Sequence, residues 1–159
     1  MKELRIGFIG FGARGNLVEQ AHCPDLGTRV AALAEPNEGV HARFRQEVGQ
    51  DAWITRDYME LLARPELDAV VIVTPDFLHE EHAVAALEAG KAVYLEKPMA
   101  ITVEGCDRIL RAAMKARARL YVGHNLRHQA VMRKMKDLID RGAIGEVKAG
   151  WCRHFVAYG

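Results

Sequence analysis

Gly10, Gly12 and Gly15 in the stretch Gly10-Phe11-Gly12-Ala13-Arg14-Gly15 have the spacing of a turn built to approach a pyrophosphate. Gly10 permits the tight turn, Gly12 lets backbone come close to phosphate oxygens, and Gly15 allows a helix to pack on a strand. The phosphates would rest on amides at that helix's start, where the helix dipole favours negative charge. Such turns are common, so the signal gains meaning only from a strand before it and a helix after it. Glu35 lies 20 positions beyond Gly15, at the end of the next apolar run. A carboxylate there accepts hydrogen bonds from both hydroxyls of an adenosine ribose and repels a 2′-phosphate. Pro36, Asn37 and Glu38 supply no cation for that phosphate, so NAD is favoured over NADP unless Arg43 or Arg45 folds back. Read alone, Glu35 is an exposed acid at a strand end.

Three further polar stretches close apolar runs. Thr74-Pro75-Asp76-Phe77-Leu78-His79 follows the clearest run, Ala69–Val73, and should lie at the carboxyl edge of a sheet, where α/β proteins bind ligands. Thr74, Pro75 and His79 are therefore expected to line a cofactor. His79 and His82 could share a helix face, but no third ligand completes a metal site, and surface or capping roles suit them better. Glu96-Lys97-Pro98 closes the next run. A partly buried lysine there has a lowered pKa and can exchange a proton with a hydroxyl under oxidation, with Glu96 orienting it or a nicotinamide ribose. Lys97 is the candidate catalytic residue and a substrate contact, although a Glu-Lys-Pro sequence by itself is more often a surface turn. Gly123-His124-Asn125-Leu126-Arg127-His128 closes the last run, with Asn125 placed to bond cofactor or substrate and Arg127 to bind a carboxylate or sugar hydroxyls. A polar loop capping the next helix explains His128 equally well.

The elements that must position these groups alternate along the chain. Strands are expected at Leu4–Ile9, Arg29–Ala34, Ala52–Thr55, Ala69–Thr74, Ala92–Leu95 and Arg119–Val122. Helices are expected near Ala13–Cys23, Glu38–Val48, Tyr58–Ala63, Leu78–Ala89 and Val103–Arg117. Thr102 is a candidate N-cap, with Cys106, Ile109, Leu110 and Ala113 as the apolar stripe behind it. Nearly continuous apolar strands alternating with helices predict a Rossmann-type, doubly wound parallel sheet covered on both faces, an α/β fold. Beyond Val122 a helix from about His128 to Arg141 should end at Gly142, and Glu146–Ala157 reads as a long strand entering a second, α+β domain. The expected division is residues 1–124 as the dinucleotide domain and 125–159 as the connecting helix and the start of a truncated substrate domain.

Composition narrows the class. The 159 residues are half hydrophobic with a formal net charge of +1, as in a globular protein without the basic face that nucleic-acid binding needs. No apolar run reaches the roughly 20 residues of a membrane span, and the N-terminus lacks a signal-peptide core. Three scattered cysteines suggest neither a disulfide framework nor a metal knuckle. The sequence reads as cytoplasmic, without metal, nucleic-acid or membrane partners.

Taken in order, these stretches resemble the glucose–fructose oxidoreductase/inositol dehydrogenase/rhizopine-catabolism family of sugar oxidoreductases. The resemblance rests on Gly7–Gly15, Thr74–His79, Ala86–Lys91, Glu96–Ala100, Gly123–Arg127 and Asp140–Val147, of which the Glu-Lys-Pro element is the specific one. It implies a two-domain enzyme that moves hydride between NAD or NADP and a hydroxyl-bearing carbon of a sugar or polyol. It further implies that Lys97 is the catalytic lysine, that the bond to Pro98 is cis, and that Glu35 replaces the aspartate of many members while keeping the NAD preference. The family's remaining catalytic aspartate and histidine would lie beyond Gly159, so this stretch alone is expected to be inactive and the intact protein a homo-oligomer. An NAD-dependent glycosidase of the same family is the alternative enzyme. A non-catalytic dinucleotide-binding or regulatory module is the alternative from another class.

Overall fold

The computed structural model describes residues 2–153. The chain forms two compact units, Met1–Gly123 and His124–Gly159. The first unit contains a six-stranded sheet built from β1 (Leu4–Ile9), β2 (Thr28–Ala34), β3 (Trp53–Thr55), β4 (Ala69–Ile72), β5 (Ala92–Leu95) and β6 (Leu120–Val122). Every neighbouring pair is parallel, in the order β3-β2-β1-β4-β5-β6. The order reverses between β1 and β4, which places a crevice at their carboxyl ends. This is the Rossmann-type doubly wound sheet expected from the alternating pattern.

Period-two alternation divides the core between the two faces. Ile9, Val70, Ile72, Val93 and Leu95 point to one face and pack with Leu61, Ala83, Leu87 and Ile109. Those side chains come from α3 (Tyr58–Leu62), α4 (His79–Glu88) and α5 (Val103–Ala116). Ile6, Phe8, Val30, Leu33, Val71 and Val73 form the other face with Phe11, Val18, Phe44 and Val48, with Val30 and Leu33 brought to it together by the register shift of β2 opposite Ile6 and Gly7. That face is covered by α1 (Val18–Ala21) and α2 (His41–Val48). A Cβ at Gly7 would stand 2.8 Å from Leu61 Cδ2, so the absence of a side chain there lets α3 approach the central strand. The Thr102 side chain caps α5 as expected, accepting from the Gly105 N–H at 3.0 Å.

Two expectations require correction. The helix after the glycine turn is shorter than predicted: a 3₁₀ turn at Gly15–Leu17 leads into an α1 of only four residues. Its end is set by Cys23 and Pro24, where Cys23 bridges to Thr28 and a second 3₁₀ turn begins. In the second unit, a 3₁₀ turn at Asn125–His128 precedes α6 (Ala130–Asp140), and the backbone passes through Gly142 at φ 68. Residues 146–153 then run irregular and exposed rather than as the predicted strand, because no described strand of that unit offers them a ladder of backbone partners. The rest of that predicted strand, from His154 to Ala157, lies outside the described residues.

Candidate functional site

The carboxyl ends of β1, β2 and β4 open into a cavity of about 630 Å³, within the range of small-molecule and cofactor sites. Gly10, Gly12, Ala13 and Arg14 form one wall, Glu35 and Pro36 a second, and Thr74 and Pro75 a third. The sequence motifs from three separate strand ends are thus brought to one crevice.

The three glycines of the turn are glycine for different reasons. Gly10 has φ 87, and a Cβ on it would stand 2.9 Å from Thr74 Cγ2 and 3.0 Å from the Thr74 backbone nitrogen. At Gly15 a Cβ would meet the Phe11 ring at 3.0 Å and Arg43 Nη2 at 2.8 Å. Both are explained by internal packing. A Cβ on Gly12 would meet nothing within 4 Å, and its φ is not in the left-handed region. Nothing among the described residues requires glycine at that position, which leaves its open face to whatever enters the cavity. With α1 so short, a helix dipole adds little, and this wall consists mainly of turn backbone.

Glu35 is held from both sides. Its Oε2 accepts from the Phe11 N–H at 2.8 Å and its Oε1 from the Asn37 N–H at 2.8 Å. A carboxylate offers about four acceptor sites, so about two are not used by these amides. Phe11 contributes only backbone here, because its ring is buried edge-on against Phe44 at 5.2 Å. Arg43 does not reach toward Glu35. Its Nη2 donates to the Phe11 carbonyl at 3.2 Å and its guanidinium stacks on the Phe11 ring, so it braces the glycine turn from behind.

The cavity-lining residues that the sequence did not single out as site residues include Arg56, Tyr58 and His82. The first two directly follow β3, and the rule that strand carboxyl ends carry the site would have found them. Arg56 pairs with Glu38 at 3.2 Å, both side chains largely exposed. The Tyr58 hydroxyl donates to Glu81 at 2.7 Å, and that bond pushes its pKa up to about 12. His82 is buried, contacts the Tyr58 ring at 4.3 Å and shares a hydrogen bond of 3.1 Å with Thr74 Oγ1. Burial lowers its pKa; Glu81 opposes the shift and His79 adds to it.

His79 was expected to contact the cofactor; the structure gives it a different place. It is buried, with Nδ1 2.6 Å from the Pro98 carbonyl and Nε2 2.9 Å from the Thr74 carbonyl. Both ring nitrogens face backbone acceptors, so the side chain ties two strand-end turns together. Glu96 is also buried, and it bonds the Arg14 guanidinium and the Lys97 backbone N–H rather than orienting the lysine amine. The Lys97–Pro98 bond is cis. Lys97 itself is exposed rather than partly buried as expected. Asn125 and Arg127 are exposed residues of the second unit. Among the described residues no three potential ligands cluster as a metal site, and no helix is long and apolar enough to cross a membrane.

Residues 4–124 match the model of the oxidoreductase family with an NAD-binding Rossmann fold, the family that joins glucose–fructose oxidoreductase, inositol dehydrogenase and rhizopine catabolism. The chain belongs to this family. It is 35% identical over 153 residues to an inositol 2-dehydrogenase of Pseudomonas savastanoi pv. phaseolicola, covering 95% of this chain and 46% of that protein. An NAD-binding oxidoreductase of Klebsiella pneumoniae superposes with a TM-score of 0.77 at 33% identity, covering 91% of this chain and 40% of that one. An apo scyllo-inositol dehydrogenase of Lactobacillus casei superposes with a TM-score of 0.82 at 24% identity and supports the fold. The chain thus spans about half the length of the relatives it matches.

Proposed function

We propose that this chain is the cofactor-binding portion of an NAD-dependent dehydrogenase that oxidises a secondary alcohol of a polyol or sugar. Cyclic polyols of the inositol type are the first substrates to test, because a relative matched over 95% of this chain is named for inositol. The observation that carries the reading is the pairing of Gly12 with Glu35 in one cavity. Gly12 is a glycine that internal packing does not require, and Glu35 is a fixed carboxylate with unused acceptor sites. In this reading residues 1–124 form the dinucleotide domain, while 125–159 lead into the part that completes the substrate pocket.

Each residue has a separate task. The turn Gly10–Gly15 seats the diphosphate, and Glu35 accepts from the adenosine ribose hydroxyls. Thr74 and Pro75 form the wall beyond the diphosphate, toward the end where Glu96 and Lys97 close β5. A bound nicotinamide would supply the acceptor for a hydride leaving the alcohol carbon. Lys97 would take the hydroxyl proton as that carbon becomes a carbonyl, so one hydride and one proton leave the alcohol. Asn125 would bond cofactor or substrate, and Arg127 substrate hydroxyls.

Titration of the protein with NAD and with NADP tests the cofactor half. NAD should bind tighter, and Glu35→Ser should weaken NAD by roughly tenfold while improving NADP, since it removes a charge-assisted acceptor and a like-charge clash together. Equal binding of both cofactors by wild type would remove Glu35 as the selector. Lys97→Met in the complete protein should lower kcat by about 10²–10⁴-fold with NAD affinity retained, the range for loss of a general base. Undiminished turnover would take Lys97 out of the mechanism.

A further inference from the structure

The guanidinium of Arg14 rises from the glycine turn and crosses 82 positions of sequence to the buried carboxylate of Glu96. Its Nε and Nη2 both donate to Glu96 Oε1, at 3.1 and 2.8 Å. The side chain of Glu96 is only 4% exposed and that of Arg14 44%, so the acid is the buried member and the arginine reaches in from the rim. A buried carboxylate that loses its cation is left as an uncompensated charge, so this contact is expensive to break. A phosphate on the turn would have to compete with Glu96 for the same guanidinium.

The consequence falls on Lys97. Its backbone N–H donates to Glu96 Oε2, the oxygen that Arg14 leaves free. On the near side the Glu96 backbone N–H is fixed to the Ile72 carbonyl at 3.0 Å. On the far side the Pro98 carbonyl is fixed by His79. The lysine therefore sits between two anchored points, and the Glu96 anchor is tied to the turn that carries Gly12. Catalytic geometry tolerates little error: a misplacement of about 1 Å costs about a hundredfold in rate.

We propose that Arg14 is a positioning residue for Lys97: its side chain carries Glu96 instead of a phosphate, and so references the lysine to the cofactor's seat on the glycine turn. The kinetic part of this inference rests on the dehydrogenase reading above. The structural part does not.

The test uses the complete protein carrying this chain, with Arg14→Met, Arg14→Lys, Glu96→Gln and the double variant Arg14→Met/Glu96→Gln. Arg14→Met should leave NAD affinity within about threefold of wild type and lower kcat by about tenfold or more. Arg14→Lys should fall between, since an ammonium keeps the charge without the planar fork. The double variant should be no slower than the slower single variant, because both changes remove one contact. A large loss of NAD affinity with kcat unchanged would make Arg14 a phosphate ligand and overturn the proposal, as would single-variant losses that multiply in the double. Without cofactor, amide exchange resolved by NMR should speed about tenfold at Lys97 in Arg14→Met and stay unchanged at Val93 in β5. Unchanged exchange at Lys97 would also overturn the proposal. If the wild-type protein binds no dinucleotide, the dehydrogenase reading fails while the exchange result still decides the role of Arg14.

Discussion

Glu35 and His82 line one cavity with different partners. The Glu35 carboxylate accepts from two backbone N–H groups. His82 has no such support for a charge: it is buried, its Nδ1 meets a threonine hydroxyl, and desolvation is the main cause of its lowered pKa. The unfolded chain therefore binds more protons than the folded one between the folded-state value and the ordinary 6.5. Stability contributed by neutral His82 is complete above 6.5 and is lost as pH falls through the folded-state value. The charged or polar neighbours are Glu81, whose charge favours protonation, and His79, whose charge opposes it, with Tyr58 hydrogen-bonded to Glu81. Denaturant midpoints measured between pH 7.5 and 5 should fall more steeply for wild type than for His82→Gln. Parallel curves would show that His82 takes up its proton without cost.

At the level of elements, the motifs easiest to read were those in which one local rule decides the outcome. The glycine turn, the end of β2 and the Thr102 cap each follow from a few consecutive residues, and each appears where the sequence placed it. Thr102→Ala should cost about 1 kcal/mol, the usual value of an N-cap, measured by denaturant unfolding. No loss would mean that the first turn of α5 is capped by water equally well. Gly10→Ala should be more damaging, because a φ of 87 disfavours any side chain and the new Cβ would strike Thr74. What sequence could not convey is the partner chosen across the fold. His79 read as a ligand residue because it follows Thr-Pro, yet its ring went to two carbonyls, one of them contributed from 19 positions away. Arg14 read as part of a phosphate turn, and its partner lies 82 positions on. The length of α1 was equally hidden, because helical spacing from Ala13 to Cys23 persists through a segment that tightens to 3₁₀ at Gly15–Leu17.

Across the whole first unit, the strand order determines where stability is concentrated. β1 and β4 are flanked on both sides, and Phe8, Ile9, Val70 and Ile72 are almost wholly removed from solvent. β3 and β6 are three-residue edges carrying no fully buried position. Local opening should therefore release β3 and β6 amides well below the global unfolding free energy, while those of Phe8, Ile9 and Ile72 exchange only when the unit unfolds. This separation gives a test of cofactor binding that needs no turnover. A ligand that binds only the folded state at a free concentration of 100 times its Kd stabilises by about 2.7 kcal/mol, a factor of about a hundred in the unfolded population. Saturating NAD should slow exchange at Phe8, Ile9 and Ile72 by about that factor. At Leu120–Val122, on the far edge from the cavity, exchange through local opening should change little, because opening there leaves the bound cofactor in place. Uniform slowing across all strands would show that the sheet opens only as one unit, and no slowing at β1 and β4 would show that NAD does not bind this fold.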